Sequence, residues 1–246
     1  MNAFEARIAV ELGKAIRHFW SVRKRQHKAQ GGKAGQKDAG NRAAVTGGKH
    51  GDGFIALLGE INREAGLTDA QVFIKKKTLP SYFRPSKDWD LIVKSGDDLV
   101  AVIEVKAHVG SFGNNFNNRV EEALGSATDF WAAYARATFK PSARPWLGYL
   151  MILEDAPKST RPSKPRRLFH YPMREEFQGV SYAGRYEIFC ERLVRERLYD
   201  STCLILSNRS GGLRGEYTEP NEELSFRRFA TALLARAGAF SKFRLT

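Results

Sequence analysis

The stretch that most constrains the fold is residues 88–108, DWDLIVKSGDDLVAVIEVKAH. Two apolar runs, residues 91–93 and 99–105, flank the turn signal Ser95-Gly96-Asp97-Asp98, so a β-hairpin is expected. Side chains alternate faces along a strand, which puts Glu104 and Lys106 on one face, roughly 7 Å apart. Asp90 opens the first strand, in phase with Ile92. With the two strands as neighbours, Asp90 and Glu104 converge beside the Lys106 ammonium. Charges in so apolar a hairpin are costly unless they are paired or bind a metal.

Helical and strand periodicities alternate around this hairpin. Residues 3–22 carry Phe4, Ile8, Leu12, Ile16 and Phe19 at helical spacing, which predicts an amphipathic helix for scaffolding or dimer packing. Residues 53–66 predict a second helix, with Phe54, Leu57, Leu58 and Ile61 buried and Gly66 as its stop. Glu60 lies near the edge of that buried face, either as a solvated acid or as an accessory metal or water ligand. A strand is expected over 71–79, ended by Pro80. After the hairpin, residues 110–118 show no hydrophobic periodicity and predict a loop, followed by a helix over 119–137. Strands at 146–154 and 201–207 and helices at 184–199 and 224–239 complete the pattern. The expectation is an α/β fold, a central mixed β-sheet flanked by helices. Residues 1–52 would form an N-terminal helix and basic Gly-rich arm. Residues 53–246 would form the main domain, its catalytic core at about 53–154 and an α/β extension after it.

The chain carries 40 Lys and Arg against 27 Asp and Glu, a net charge of +13. Such an excess points to a polyanionic partner, nucleic acid rather than membrane. An excess of eight falls within residues 1–50, which hold 11 basic and three acidic residues. Residues 23–53 repeat Gly-Gly-Lys at Gly31–Lys33 and Gly47–Lys49, as an arm that orders on DNA or as a mobile loop. They lack the GxxxxGK[ST] spacing of a phosphate-binding loop, which excludes nucleotide hydrolysis of that kind. Lys158, Arg161, Lys164, Arg166 and Arg167 alternate with prolines in a segment expected to be non-helical and suited to phosphate contact. Asn114, Asn115, Asn117, Asn118 and Arg119 offer the side chains that pair with adenine and guanine edges, or else a helix-capping loop. The Gly-rich segment 208–223 offers a second reading loop. No apolar run approaches the ~20 residues of a membrane span. The N-terminal helix carries acids, unlike a secretory signal. Cys190 and Cys203 make no CxxC, so neither a zinc site nor a disulfide framework is expected, and a reducing cytoplasm fits.

Hydrolysis of a phosphodiester needs an activated water, shielding of phosphate charge and a stabilised leaving group, all of which a divalent metal can supply. Carboxylates and a backbone carbonyl suit Mg²⁺, so Asp90, Glu104 and the Val105 carbonyl are candidate ligands. Lys106 could position the attacking water and offset developing charge. Asp88 rivals Asp90 because KDWD places two acids in one strand phase; Asp90 is preferred for its apolar neighbours. His108 shares the Glu104 face, as a catalytic group or a polar strand end. These residues point to metal-dependent cleavage of nucleic acid.

The Asp90…Glu104-Val105-Lys106 arrangement resembles the PD-(D/E)xK nuclease superfamily, whose site lies on an αβββαβ core; here Trp89 stands where that pattern has proline. The wider stretch KDWDLIV…AVIEVKAHVGSFGNNFNNRVEEALGSATDFW is similar to the XhoI-type family of type II restriction endonucleases, most specifically through about 87–131. The resemblance implies a homodimer that cuts double-stranded DNA at CTCGAG with Mg²⁺, alongside a cognate DNA methyltransferase. A palindrome is matched most simply by a two-fold dimer. Two other readings remain: a structure-specific repair or recombination nuclease of the same superfamily, and a DNA-binding protein whose carboxylates only form ion pairs with Lys106.

Overall fold

Apolar residues three and four apart organise the N-terminal helix α1 (Ala3–Ala29), which runs longer than its sequence pattern suggested. Ile8, Leu12, Ile16, Phe19 and Trp20 are all buried, each worth roughly 1.5–3 kcal/mol. The computed structural model describes residues 2–29, 49–74, 77–164, 168 and 170–242. The helix α2 (Asp52–Glu64) follows and buries Phe54, Leu57, Leu58 and Ile61, as its spacing required. Gly66 ends it at φ +97°, a conformation that L side chains rarely adopt.

The expected strand at 71–79 divides. Val72–Phe73 (β1) pairs with the main sheet, whereas Thr78–Pro80 (β2) pairs with Ser86–Asp88 (β3) in a separate small hairpin. The hairpin read from the sequence is present as β4 (Leu91–Ser95) and β5 (Asp98–His108). Their register shifts between Val93 and Lys94, so Val100 is an extra residue and both Val100 and Ala101 enter one core cluster. After the helix α3 (Phe112–Ala135), β6 (Trp146–Glu154) lies parallel to β5. A single helical turn, α4 (Pro157–Thr160), and the helix α5 (Tyr182–Arg195) lead to β7 (Ser201–Ser207), parallel to β6. A short turn α6 (Arg209–Gly212) and the helix α7 (Phe226–Lys242) complete the described chain.

The five-stranded mixed sheet has the order β1-β4-β5-β6-β7. One face packs on α1, α2 and α7 through Phe19, Phe54, Leu58, Ile103, Ile152, Ile205 and Phe229. The other packs on α3 and α5 through Val102, Ala127, Phe130, Tyr149, Tyr186 and Leu204. This is the expected α/β architecture, and α2-β1-β4-β5-α3-β6 follows the αβββαβ order of a restriction-endonuclease-like core.

Two local expectations are corrected. Residues 112–118 are the first turns of α3 rather than a loop. Phe112 and Phe116 sit one turn apart and pack against Tyr182 and, for Phe116, Tyr186, which overrides the weak helix preference of the asparagines. The basic, Pro-rich segment is not wholly extended, because Pro157 occupies the start of α4, where its missing N–H is no loss. Within the segment 208–223, Gly211 and Gly212 are buried packing elements, whereas Arg209, Ser210 and Arg214 are exposed; a Cβ at Gly212 would lie 2.7 Å from Ser207 Oγ and closer still to the Trp20 indole. Residues 30–48, most of the basic arm, and Arg166 and Arg167 lie outside the described residues, as does the side chain of Asn114.

Candidate active site

The site arises where β4 parts from β5. The last ladder contact is the Asp90 N–H donating to the Ile103 carbonyl at 3.1 Å. Beyond it the Val105 N–H has no partner strand and donates instead to Asp90 Oδ2 at 2.7 Å. Asp90 thus reaches β5 along the open strand edge; the alternation that would place it with Ile92 stops at Leu91, where β4 begins. The N–H and C=O of one strand residue point to the same side, so the Val105 carbonyl faces this edge too. Asp88 does not join it. It is exposed on β3 and accepts a hydrogen bond from Thr78 Oγ1.

Glu104 projects from the same edge on the α3 side and is 2% exposed. Its Oε1 accepts from Lys106, as the shared face predicted, and from Lys87 Nζ at 3.2 Å. Lys77 stands 3.5 Å from Asp90 Oδ1. Lys87 and Lys77 were not singled out in the sequence, because nothing local ties β3 or residue 77 to β5. The β2–β3 tip that aims Lys87 is fixed by Asp129, which accepts the N–H groups of Tyr82 and Phe83 at 2.8 Å each and Arg84 Nε at 2.7 Å. Burial acts to lower the Lys106 pKa, but the Glu104 and Asp90 carboxylates outweigh it and hold the ammonium above its ordinary value. Lys106 is therefore a fixed cation at neutral pH.

A cleft of about 220 Å³ opens over this edge, lined by Asp90, Val105, Lys106, His108, Asn115 and Arg119 on one side and by Phe19, Arg23, His50 and Ile55 on the other. Glu104 and Lys87 line instead a second groove along α3, which shares Lys106 and Arg119 with the cleft. Glu104 Oε2, buried, lies 3.1 Å from the Lys87 ammonium without hydrogen-bond geometry, and buried atoms of His50, His108 and Arg119 lack hydrogen-bond partners. Two carboxylates and an outward carbonyl, with one Glu104 oxygen that makes an ion pair but no hydrogen bond, fit Mg²⁺, which keeps several waters and needs few protein ligands. Among the described residues no group of three or more His, Cys, Asp or Glu side chains comes together, so water would complete the coordination.

The remaining candidates divide. Asn115 and Arg119 face the cleft, and Arg119 pairs with Glu122; Asn117 and Asn118 are exposed one turn along α3. Lys158 and Arg161 flank a separate groove with Phe112 and Gly113 at the start of α3, and Lys164 is exposed beyond it. Glu60 is not brought to the site. It is largely exposed and pairs with Arg63 one turn later, because the buried face of α2 is filled by its apolar residues. His108 is a core histidine. Its Nδ1 is 2.6 Å from Tyr186 Oη, and burial pushes its pKa down to about 4.

Comparison with known proteins gives the family of the chain. The family model described as restriction endonuclease XhoI matches residues 30–219. The chain is 51% identical over 208 residues to the type II restriction enzyme BstVI of Geobacillus stearothermophilus, covering 82% of this chain and 92% of the relative. It is 45% identical to the type II restriction enzyme XhoI of Xanthomonas vasicola over 65% of each chain. With the type II restriction enzyme AbrI of Azospirillum brasilense the identity is 46%, over 60% of this chain and 67% of the relative. No solved structure matches. An αβββαβ core carrying Asp90 and Glu104-Val105-Lys106 at one open strand edge, together with these matches, shows that the chain belongs to the XhoI restriction endonuclease family.

Proposed function

We propose that this protein is a type II restriction endonuclease, a site-specific deoxyribonuclease that cuts both strands of DNA at CTCGAG with Mg²⁺. The observation that carries this reading is the meeting of Asp90, Glu104, the Val105 carbonyl and Lys106 where β4 leaves β5. Asp90, Glu104 and the Val105 carbonyl would hold the metal, which when bound would activate water and shield the phosphate. Lys106 orients the attacking water and, as a permanent cation, offsets the negative charge that builds on the phosphorus oxygens. Lys77 and Lys87 steady the two carboxylates. Asn115, Asn117, Asn118 and Arg119 present base- and phosphate-contacting groups from the start of α3, and Lys158, Arg161 and Lys164 contact the backbone of the duplex. The palindrome fits a homodimer in which each subunit cuts one strand. Its biological counterpart is a methyltransferase acting on the same site. Among the described residues no helix is long and apolar enough to cross a membrane, and we place the enzyme in the cytoplasm.

A plasmid bearing known CTCGAG sites, incubated with the pure protein and Mg²⁺, should give discrete fragments whose sequenced ends fall in those sites. Nicking at flaps or junctions with no discrete fragments would favour the structure-specific reading instead. The engagement of Glu104 by two lysines also motivates a non-catalytic reading, with the carboxylates as structural ion pairs. Salt-sensitive DNA binding with no Mg²⁺-dependent cleavage would favour it.

A further inference from the structure

The cleft over Asp90 has a wall from α1, and that wall carries Arg23. Arg23 stands one helical turn after Phe19, with its guanidinium 5.7 Å from the Phe19 ring. Three strong cations line the cleft. Lys106 is held by Glu104, and Arg119 by Glu122. Arg23 has no ion pair or hydrogen bond among the described residues. The acid whose field reaches it is Glu154, but both Glu154 oxygens are engaged, Oε1 by Arg209 at 3.0 Å and Oε2 by the Gly110 N–H at 2.9 Å. His50, beside it, adds no charge at neutral pH: burial first, then the Arg23 guanidinium, push its pKa down to about 4. A half-buried guanidinium with no ion-pair partner among the described residues is unfavourable in the free protein and becomes favourable when an anion enters. Its planar fork matches two oxygens of a phosphate.

We infer that Arg23 is a substrate-positioning residue that binds a DNA phosphate next to the one cleaved, so that α1 closes the active site from the side opposite α3. This rests on the nuclease reading above. Residue 23 lies outside the stretch matched by the family model, which begins at residue 30. The ligand follows from the geometry: the guanidinium shares one small cleft with Asp90 and Lys106, and DNA seated there places successive phosphates along it.

The test measures the affinity of wild type, Arg23→Gln and Arg23→Lys for two 20-bp duplexes, one with CTCGAG and one scrambled, in Ca²⁺ and across 50–200 mM KCl. Gln keeps an aliphatic stem over Phe19 while removing the charge, and a thermal melt checks that each variant is folded. Arg23→Gln should weaken both duplexes by on the order of tenfold at low salt and reduce the slope of log K against log salt by about 0.9. Arg23→Lys should keep the slope and lose part of the affinity, since an ammonium contacts phosphate as a point charge. An unchanged slope in Arg23→Gln, with wild type binding and cutting DNA, overturns this inference alone. Wild type that neither binds nor cuts DNA overturns the nuclease reading with it.

Discussion

Replacing Glu104 by glutamine separates the chemistry of the site from its stability. The carboxylate is 2% exposed and lies within 3.2 Å of Lys87 Nζ as well as against Lys106. Removing one partner of a fully buried ion pair costs roughly 3–5 kcal/mol. Here the side chains of Lys87 and Lys106 remain 12% and 25% exposed, and Gln keeps an acceptor oxygen, so the loss should be nearer ~2 kcal/mol. That penalty leaves the enzyme folded, because a domain of this size is stabilised by roughly 5–15 kcal/mol. The effect on cleavage is larger. Losing one of two anionic metal ligands should remove about 4 kcal/mol of transition-state stabilisation, or roughly a thousandfold in rate. Single-turnover cleavage of a one-site duplex in Mg²⁺ measures the rate, anisotropy in Ca²⁺ measures binding, and urea denaturation measures stability. Binding should stay within tenfold of wild type. A Glu104→Gln enzyme that cuts within tenfold of the wild-type rate would refute the assignment of Glu104 as a ligand.

Three further expectations follow from the structure. Lys106→Ala should lower single-turnover cleavage by about 10²–10⁴-fold, with DNA affinity in Ca²⁺ little changed; an undiminished rate removes Lys106 from the chemistry. Gly212→Ala should lose about 3 kcal/mol in denaturant titration, because its Cβ meets the Trp20 indole, itself held by a 3.0 Å bond to Ser207 Oγ. His108 is neutral in the folded protein down to about pH 4, whereas an unfolded histidine takes up its proton near 6.5. Its contribution, present above pH 6.5, is therefore lost as the pH falls toward 4, by about 3 kcal/mol in all. The stability–pH curve of His108→Gln should be flatter over that interval, and an equal slope refutes the burial argument.

Local chemistry carried much of this protein into view. Leu91–Val93 and Leu99–Val105 around Ser95-Gly96-Asp97-Asp98 could hardly be anything but a hairpin, and a two-residue period puts Glu104 and Lys106 on one face. The uninterrupted apolar run of β6 and the four-residue spacing in α2 were equally legible, since each element's burial is written into its own period. The start of α3 was misread because four asparagines masked the Phe112–Phe116 spacing, whose partners Tyr182 and Tyr186 lie some seventy residues away. Distance in sequence likewise hid Lys87, Lys77 and Arg23, which reach the site only through the β2–β3 hairpin and the packing of α1. The acids, the lysine and their strand came from the sequence alone. Tertiary structure alone decided that Asp90 rather than Asp88 meets β5, that Glu60 stays away, and that an N-terminal helix walls the cleft. Those outcomes depend on where strands part and which helices pack together, contacts between segments whose mutual attraction no local pattern records.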